Sequence, residues 1–425
     1  MKVLVVGGGG REHVLCWALS RSAAVFCAPG NPGTAELGTN LPLGASDHAA
    51  IVGAVREHGI DLTVIGPEAP LAAGLVDDLA RAGFKAFGPT ADAARIEASK
   101  AYAKEVMFAA GVPAARSETF GDEAKALDYI ASHAEPLVVK ASGLAAGKGA
   151  IVCPTRAEAA AAAREMFGGK FGDAGSLVVV EEFLTGEELS ILAVTDGEQV
   201  MLLPASQDHK RIGEGDTGPN TGGMGAYTPV SIADRALLER ADREIIRPVL
   251  AEMARRGVPY RGVLYAGLMV DAAGHAKALE FNCRFGDPEA QVVLPAADLD
   301  LTEDLWRIAA GESWQPPVTY CEATRAAVTT VLATPGYPAS PVKGQEIRLA
   351  SPLPEHTILF HAGTALDDAG VLRAAGGRVL NATGLGRDVV EAAERSRALA
   401  ESITFEGRQY RRDIAWREVA RAGAA

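Results

Sequence analysis

The sequence predicts a multidomain protein that combines α/β and α+β architecture. Its 425 residues exceed the roughly 250 to 300 at which a single hydrophobic core stops growing. From Met1 to about Pro89, short apolar runs alternate with helical patterns, which is typical of a doubly wound parallel sheet. We therefore predict an N-terminal α/β domain over residues 1–98, two α+β units within residues 99–325, and a small β-rich domain over residues 326–425.

The composition favours a soluble enzyme. Hydrophobic residues make up 48% and charged residues 22% of the chain, and the net charge of −13 disfavours a nucleic-acid partner. The five cysteines are odd in number and form no C-x-x-C motif, which predicts buried thiols in a reducing compartment. The sequence has neither a secretory signal pattern nor an apolar stretch of about 18 residues. We therefore expect a cytoplasmic protein without membrane contact.

The first strand, Val3 to Val6, leads into four consecutive glycines and a helix. A dinucleotide site would need a small residue where Glu12 stands, and an acidic residue after the next strand, which instead ends in "APG". NAD binding is therefore disfavoured. An anion site at the helix N-terminus and an ordinary tight turn both stay open.

Three strands of the predicted N-terminal sheet end in similar segments, "GGGGRE", "APGNPGT" and "GPEAPL". Ligands of parallel sheets bind at the carboxyl ends of the strands, so one crevice is expected there, with three ordinary loops as the alternative. A helical pattern from Asp92 to Gly111 follows and carries Lys100 and Lys104 one turn apart.

A glycine-rich hairpin, "VVKASGLAAGKGAIV", has Lys140 at the end of its first strand and Lys148 at its tip. Its backbone N–H groups could fold over phosphates, although Gly149 stands where a P-loop needs Ser or Thr. A flexible surface hairpin is the alternative. Next, in "VEEFLTGEELS", the backbone near Glu181 could pair with an adenine edge and a later carboxylate could bind a ribose diol, or the loop is solvated surface.

The segment from Ser206 to Val230 is too rich in glycine to predict regular structure, and long loops in compact enzymes are usually functional. In "ALEFNCRFGDPEA", alternation along a strand points Glu280 and Asn282 to one face. Their oxygens suit Mg²⁺, and Arg284 offers a planar fork to a phosphate or carboxylate. A polar strand end without metal stays possible. The region from about Thr324 has few convergent polar motifs and is expected to have a structural or closing role.

These motifs, in this order, resemble the ATP-grasp family and, within it, the glycinamide ribonucleotide branch. The resemblance covers nearly the whole chain and implies an ATP-grasp core with a mobile ATP lid over residues 118–190 and a catalytic unit over residues 191–325. It implies a monomer that uses ATP with Mg²⁺ or Mn²⁺ to join glycine to 5-phosphoribosylamine. The reaction would pass through glycyl phosphate and serve purine (IMP) biosynthesis.

The resemblance also implies roles for individual residues. Those expected to contact ATP are Lys100, Lys140, Gly147, Lys148, Gly149, Glu181, Leu184 and Glu187. Those expected to contact the glycine or the amine are Gly9, Gly30, Asn31, Gly33, Thr34, Glu68, Lys210, Asp287 and Glu289. Catalytic roles fall to Arg284, Lys148 and Asp208, and the metal ligands would be Glu280 and Asn282.

One strand departs from the wider family pattern. The segment from Leu264 to Val270 carries no charge, where many ATP-grasp enzymes supply a second metal carboxylate, so the ligands of a second metal stay open. A purine carboxylase or dipeptide ligase of the same fold would lack "APGNPGT" and "GDTGPNTGGMGAY", and a nucleotide sensor would lack the metal ligands. The sequence retains all of these features, which favours the ligase.

Overall fold

The computed structural model describes residues 1–145 and 149–424. The N-terminal domain is a five-stranded parallel sheet in the order β3-β2-β1-β4-β5, which confirms the doubly wound prediction. The apolar run Val3 to Val6 is fully buried at the sheet centre because helices cover both faces. The strands are β1 Lys2–Gly7, β2 Ala24–Pro29, β3 Thr39–Asn40, β4 Leu62–Ile65 and β5 Ala86–Phe87. The helices are α1 Gly10–Leu19, α2 Pro32–Ala35, α3 His48–His58, α4 Glu68–Ala72, α5 Leu75–Arg81 and α6 Ala91–Ala98.

The helical pattern after the N-terminal sheet forms two helices rather than one. Ser99 has an extended backbone and its side chain accepts a hydrogen bond from the N–H of Tyr102, so it ends α6 and caps α7, Lys100–Ala109. Lys100 therefore begins a helix, and its N–H donates to the carbonyl of Ser142 in the next unit (2.8 Å).

The unit that follows has its own four-stranded antiparallel sheet, in the order β6-β9-β7-β8, and its own small core. Two alanine-containing helices pack against this sheet. Its elements are β6 Ser117–Phe120, α8 Glu123–Ser132, β7 Leu137–Ala141, β8 Ala150–Cys153, α9 Arg156–Glu165 and β9 Val178–Glu182, with short helical turns at Met166–Lys170 and Gly172–Gly175.

The central unit is built on an antiparallel sheet in the order β11-β10-β16-β17. Its strands are β10 Glu187–Thr195 and β11 Val200–Leu202, followed after the segment described below by β16 Gly262–Val270 and β17 Ala276–Asn282. Its helices are α10 Arg235–Ala241, a π-helical turn Asp242–Ile246, α11 Arg247–Arg255, α12 Ala290–Ala297 and α13 Thr302–Ala310.

The expectation that residues 206–230 lack regular structure is wrong. They form β12 Gln207–Asp208, a hairpin of β13 Arg211–Gly213 and β14 Thr217–Asn220, and β15 Gly225–Thr228. Strands β12 and β15 join the C-terminal sheet, whose order is β12-β15-β18-β22-β19. Strand β15 pairs with β18, while β12 pairs with β15 and β13 with β14. Local composition failed here because glycine does not prevent ladder hydrogen bonds when a partner strand is present.

The C-terminal unit completes that sheet and packs α14 against it. Its elements are β18 Ala326–Ala333, β19 Thr357–His361, a small hairpin of β20 Thr364–Leu366 and β21 Leu372–Ala374, β22 Arg378–Gly386, α14 Val389–Ser402 and α15 Trp416–Ala424. All five cysteines are buried free thiols, as predicted. In the described part of the chain, no helix combines the length and apolar character needed to cross a membrane.

Candidate active site

A cavity of about 510 Å³ lies where the four units meet. The predicted site residues that line it are Glu68, Lys100, Lys140, Gly149, Glu181, Leu184, Asp208, Lys210, Glu280, Asn282, Arg284, Asp287 and Glu289. Gly9, Gly30, Asn31, Gly33, Thr34 and Glu187 are not among the described residues that line it. Gly147 and Lys148 lie outside the described residues.

One wall of the cavity carries a buried ion-pair cluster. The carboxylate of Glu181 lies 3.1 Å from Nζ of Lys104 and 2.9 Å from Nζ of Lys140, and its side chain is only 2% exposed. Burial lowers the pKa of Lys100 and of Lys104, although nearby carboxylates oppose the shift. The cluster concentrates positive charge beside an open space, which is the arrangement that polyphosphates require.

Glu280 and Asn282 face the cavity from β17, where they pair with Gly267 and Tyr265. Neither side chain makes a hydrogen bond or ion pair with another described residue. Burial raises the pKa of Glu280, but Lys210, Lys140 and other nearby cations lower it by more. The net shift of this pKa is downward, so the carboxylate stays ionised. An ionised carboxylate and an amide oxygen without protein partners fit a divalent cation.

Two guanidinium groups meet at the N-terminal side of the cavity. Arg284 pairs with Glu97 at 2.9 Å and with Glu68 at 3.5 Å, while Arg11 pairs with Glu12 at 2.7 Å and reaches Glu68 at 4.0 Å. Burial lowers the pKa of Arg284, yet Glu97 and Glu68 raise it more, and the net shift is upward. Both cations therefore stay charged and are held by carboxylates from three separate segments.

Asp208 and Lys210 enter the cavity from strand β12 and the residues after it. Lys210 pairs with Glu188, and burial raises the pKa of Asp208 while Lys210 opposes that shift. Nearby, Oε1 of Glu289 accepts hydrogen bonds from the hydroxyl of Tyr265 (3.0 Å) and, at 3.3 Å, from that of Ser190. Acidic groups thus alternate with cations across this wall, which suits a substrate that carries both charges.

The C-terminal unit reaches the cavity through Arg378. Its guanidinium donates to the carboxylate of Asp287 (2.8 Å), to the carbonyl of Asp287 (2.9 Å) and to the carbonyl of Gly222. The N–H of Gly222 donates to the hydroxyl of Tyr337 (2.9 Å). The cavity loops that contain Gly222 and Asp287 are therefore linked to each other by side chains of the C-terminal unit.

Three family models match the chain in order and cover most of its length. They are the phosphoribosylglycinamide synthetase N domain over residues 1–97, its ATP-grasp (A) domain over residues 98–290 and its C domain over residues 327–417. The chain belongs to the phosphoribosylglycinamide synthetase family. It is thus a ligase of the ATP-grasp type, as the motif order indicated.

Relatives of the same family are similar over their full length. Phosphoribosylamine–glycine ligase of Agrobacterium fabrum is 47% identical over 427 residues, covering 100% of both chains. The Salmonella typhimurium protein of that name is 46% identical over 429 residues, covering 99% of each. The crystal structure of phosphoribosylamine–glycine ligase from Thermotoga maritima has a TM-score of 0.86 at 35% identity, covering 97% of this chain and 100% of that one.

In this member of the family, Glu187 lies on the opposite side of β10 from the cavity. Its carboxylate pairs with Arg421, whereas the next residue, Glu188, lines the cavity. Successive side chains of a strand point to opposite faces, so the two cannot share the ligand side. Glu187, which was expected to contact a ribose, is therefore not among the described residues that line the cavity, whereas its neighbour Glu188 is.

In the N-terminal segments expected to contact substrate, the side chains of Asn31 and Thr34 make hydrogen bonds within their own turn. Oδ1 of Asn31 accepts from the N–H groups of Gly33 (2.9 Å) and Thr34 (3.1 Å) and so caps α2. The Thr34 hydroxyl bonds to Asn31 and to Asn40. These side chains shape the turn behind the cavity, and Arg11 extends into the cavity instead.

Sequence reasoning assigned no role to several residues that line the cavity, namely Arg11, Glu97, Lys104, Glu188, Tyr265 and Arg378. Local signals existed for three of them, because Arg11 follows the glycines, Lys104 lies one turn after Lys100 and Glu188 stands one place after the chosen acid. Nothing in the sequence around Arg378 marks it, since its partners are 91 and 156 residues away.

Proposed function

We propose that this family member joins glycine to 5-phosphoribosylamine at the expense of ATP, giving glycinamide ribonucleotide, ADP and phosphate for purine biosynthesis. The observation that carries the proposal is the pair Glu280 and Asn282. Their oxygens face a cavity lined by cations and have no partners among the described residues. The full-length similarity to phosphoribosylamine–glycine ligases supports the choice of substrates.

ATP would lie along the wall between the lid unit and the central sheet. Lys100 and Lys140 would contact its phosphates, with Gly149 and the neighbouring Gly147 and Lys148 closing over them. The segment from Glu181 to Leu184 would hold adenine, and the exposed apolar side chains of Leu144, Val152 and Phe183 line the same part of the cavity. Glu188 replaces Glu187 as the residue that would accept hydrogen bonds from the ribose.

A divalent cation would be held by Glu280 and Asn282, with substrate oxygens supplying its other ligands. When bound, it would neutralise charge on the phosphates during transfer. No group of three or more His, Cys, Asp or Glu side chains within residues 1–145 and 149–424 is arranged to hold a metal. This small set of protein ligands is typical of Mg²⁺ bound together with nucleotide, and Mn²⁺ would accept the same oxygens.

The chemistry would proceed in two displacements. A carboxylate oxygen of glycine attacks the γ-phosphorus of ATP, and the bond to ADP breaks. The nitrogen of phosphoribosylamine then attacks the carbonyl carbon of glycyl phosphate, phosphate leaves, and the nitrogen loses a proton. Arg284 would stabilise the negative charge on the transferred phosphoryl group, because its guanidinium is held at the cavity by Glu97 and Glu68.

Glycine and the amine would lie beyond the phosphates, near Glu68 and the acidic groups Asp208, Asp287 and Glu289, with Lys210 beside them. The ammonium of glycine needs carboxylate partners and its carboxylate needs a cation, and this wall offers both. The phosphoribosyl group would lie against the turn near Gly9, behind which Gly30, Asn31, Gly33 and Thr34 supply the frame.

The proposal includes the coarser organisation of the protein. We propose domains over residues 1–98, 99–325 and 326–425, with residues 118–190 as a mobile lid that has its own sheet and core. We propose a monomer without nucleic-acid or membrane partners, and the net charge of −13 disfavours a nucleic-acid partner. A cytoplasmic location is consistent with five free thiols.

The test is ADP release from the purified chain with MgATP, freshly prepared phosphoribosylamine and a panel of amino acids. ADP should form at a substantial rate only when glycine and phosphoribosylamine are both present. Equal rates with alanine or serine, or ADP release without glycine, would contradict the assignment of the substrates while leaving ATP use intact.

A further inference from the structure

Two strands that line the cavity, β10 and β12 with the residues after it, contact residues near the C-terminus through their opposite face. Asp208 and Lys210 line the cavity, while His209 between them is buried on the opposite side. Glu188 likewise lines the cavity, and Glu187 points away from it. This alternation follows from strand geometry, and it means that whatever holds the rear residues also sets the direction of the front ones.

Residues 411–421, which we term the C-terminal clasp, contact both rear residues. Nε2 of His209 accepts a hydrogen bond from the N–H of Ala415 (2.9 Å). The guanidinium of Arg421 donates to Glu187, which also lies near the amide of Gln207 on the neighbouring strand (3.5 Å). The clasp therefore touches each of the two strands at the position adjacent to a cavity residue.

The clasp is fixed at its other end by a buried arginine. Arg411, whose side chain is 1% exposed, pairs with Asp216 at 2.8 Å and with Asp413 at 2.7 Å. Arg417 pairs with the second oxygen of Asp216 at 2.5 Å. A buried guanidinium with two carboxylate partners holds its neighbours in one arrangement.

Backbone strain occurs at the point of contact. Ala415 is fully buried and has a left-handed backbone with φ of +67°, and Asp216 has φ of +55°. Residues that carry a Cβ rarely adopt this conformation, and it persists where surrounding contacts enforce it. The strained Ala415 N–H is the group that donates to His209.

We propose that the C-terminal clasp positions Glu188, Asp208 and Lys210 by holding Glu187 and His209 from behind, a role that rests on the proposed function of the cavity. Arg421 and Glu187 are thus positioning residues and contact no substrate. Removing their ion pair frees the first residues of β10, and Glu188 loses its fixed direction towards Lys210 and the nucleotide.

The test compares Arg421→Ala, Arg421→Lys and Glu187→Gln in the full-length chain. We expect Arg421→Ala and Glu187→Gln each to lower kcat for glycine-dependent ADP release by about tenfold, since small misplacements of reacting groups have effects of this order. Arg421→Lys should recover most of the rate. The double variant Arg421→Ala/Glu187→Gln should be no worse than either single one, because both remove the same contact.

The matched control is Arg412→Ala, which lies in the same segment but whose exposed guanidinium is 4.0 Å from Glu401 and does not line the cavity. It should keep the kcat of the unaltered protein. Melting temperatures of all variants should agree within about 2 °C, as for most changes of partly exposed side chains. A kcat loss that only follows a fall in melting temperature and is not recovered by Arg421→Lys would overturn the proposal.

Binding of MgADP, measured by calorimetry, separates the clasp from the proposed reaction. Arg421→Ala should bind MgADP about fivefold more weakly, because a displaced Glu188 loses its hydrogen bond to the ribose. If the unaltered chain releases no ADP with glycine, the proposed function fails, while this difference in affinity still tests the clasp. Unchanged affinity in Arg421→Ala and Glu187→Gln would overturn it.

Discussion

The turn after β1, which leads to the cavity residue Arg11, and the end of β17, which lines the cavity, are built in opposite ways. In the turn, the carboxylate of Glu12 accepts hydrogen bonds from the N–H of Gly9 and from Arg11, both at 2.7 Å. Its side chain also fills the space beside Gly66, where an added Cβ would lie 2.0 Å from Oε1. At the end of β17, Glu280 and Asn282 face open space without partners among the described residues.

This difference separates stability from ligand binding. A buried carboxylate whose oxygens are already bonded holds the fold together, and its loss leaves a buried donor unpaired. A carboxylate that faces a cavity without a hydrogen-bond partner leaves no buried donor unpaired when it is removed, and it is available to a ligand. Changes in the turn should therefore alter the free energy of unfolding, and changes at the end of β17 should alter activity.

The largest effect is expected from Glu280→Gln. Loss of the charged oxygen ligand should lower kcat by about a thousandfold or more, by analogy with removal of a main electrostatic group from a catalytic site. The melting temperature should hardly change. Lys277→Gln, on the same strand but with a side chain 46% exposed, is the control and should stay active. Full activity of Glu280→Gln in the ADP-release assay would remove the metal role.

Glu12→Ala should lower the free energy of unfolding rather than kcat. It leaves the nearly buried guanidinium of Arg11 without its nearest carboxylate, which typically costs about 3 kcal/mol of stability. Urea unfolding followed by circular dichroism measures this loss. The exposed Glu57→Ala serves as the control and should unfold at the urea midpoint of the unaltered chain. Unchanged stability of Glu12→Ala would show that the turn is not held by this carboxylate.

Arg378→Ala should have an intermediate effect on activity, because it removes the contacts that link two cavity loops and leaves the hydrophobic core unchanged. Its hydrogen bonds to Asp287 involve charged groups, so their loss should lower kcat/KM by about tenfold to a hundredfold. Steady-state kinetics with varied glycine and ATP would measure it. Arg373→Ala in the same unit, paired with Asp367 instead, should have normal kinetics. Normal kcat/KM in Arg378→Ala would show that activity does not depend on the contacts between Arg378 and these loops.

The smallest effect concerns His13, which follows the turn on α1. Burial and the neighbouring His361 lower the pKa of His13 to about 3, and burial lowers that of His361 to about 4. Nδ1 of His13 accepts from the N–H of His361 (2.7 Å), which requires the neutral ring. Below the ordinary histidine pKa the unfolded chain binds more protons than the folded one, so stability falls as pH decreases from about 6.5 towards 4.

Replacing His13 by Gln should flatten this acid dependence by about 1.4 kcal/mol per pH unit at most. Melting temperatures at pH 7.5 and 5.5 provide the measurement. His275→Gln removes an exposed histidine and should retain the pH dependence of the unaltered chain. Parallel curves for His13→Gln and the unaltered chain would place the acid sensitivity elsewhere.

Local patterns predicted the elements that local physics decides. The buried run at Val3 to Val6 and the alternation along β17 follow from the period of a strand, and both agree with the structure. Periodicity overlooked the break at Ser99, because a serine within a helical pattern also serves as a cap. The strands within residues 206–230 were not predictable, since their partners are supplied by β18 and by each other.

The candidate site likewise contains residues that local patterns predict and residues that they do not. Residues on predicted strands and glycine turns, such as Lys140 and Glu280, line the cavity as expected. Which of Glu187 and Glu188 faces the cavity depends on the register of β10 in its sheet. The sequence does not show where the loop before β10 ends, so it does not fix this register. Arg378 reaches the cavity only because the C-terminal sheet incorporates strands from the central segment.

The sequence by itself determined the fold class, the family and the strand that presents Glu280 and Asn282, because these depend on composition, motif order and short-range alternation. Only the tertiary structure decided which polar groups face the cavity without a partner. Glu12 is bonded on both oxygens by its sequence neighbours Gly9 and Arg11, whereas Glu280 faces the open cavity. The cations around Glu280, among them Lys100, Lys140 and Lys210, come from segments far away in the chain, and sequence spacing carries no record of their distance from it.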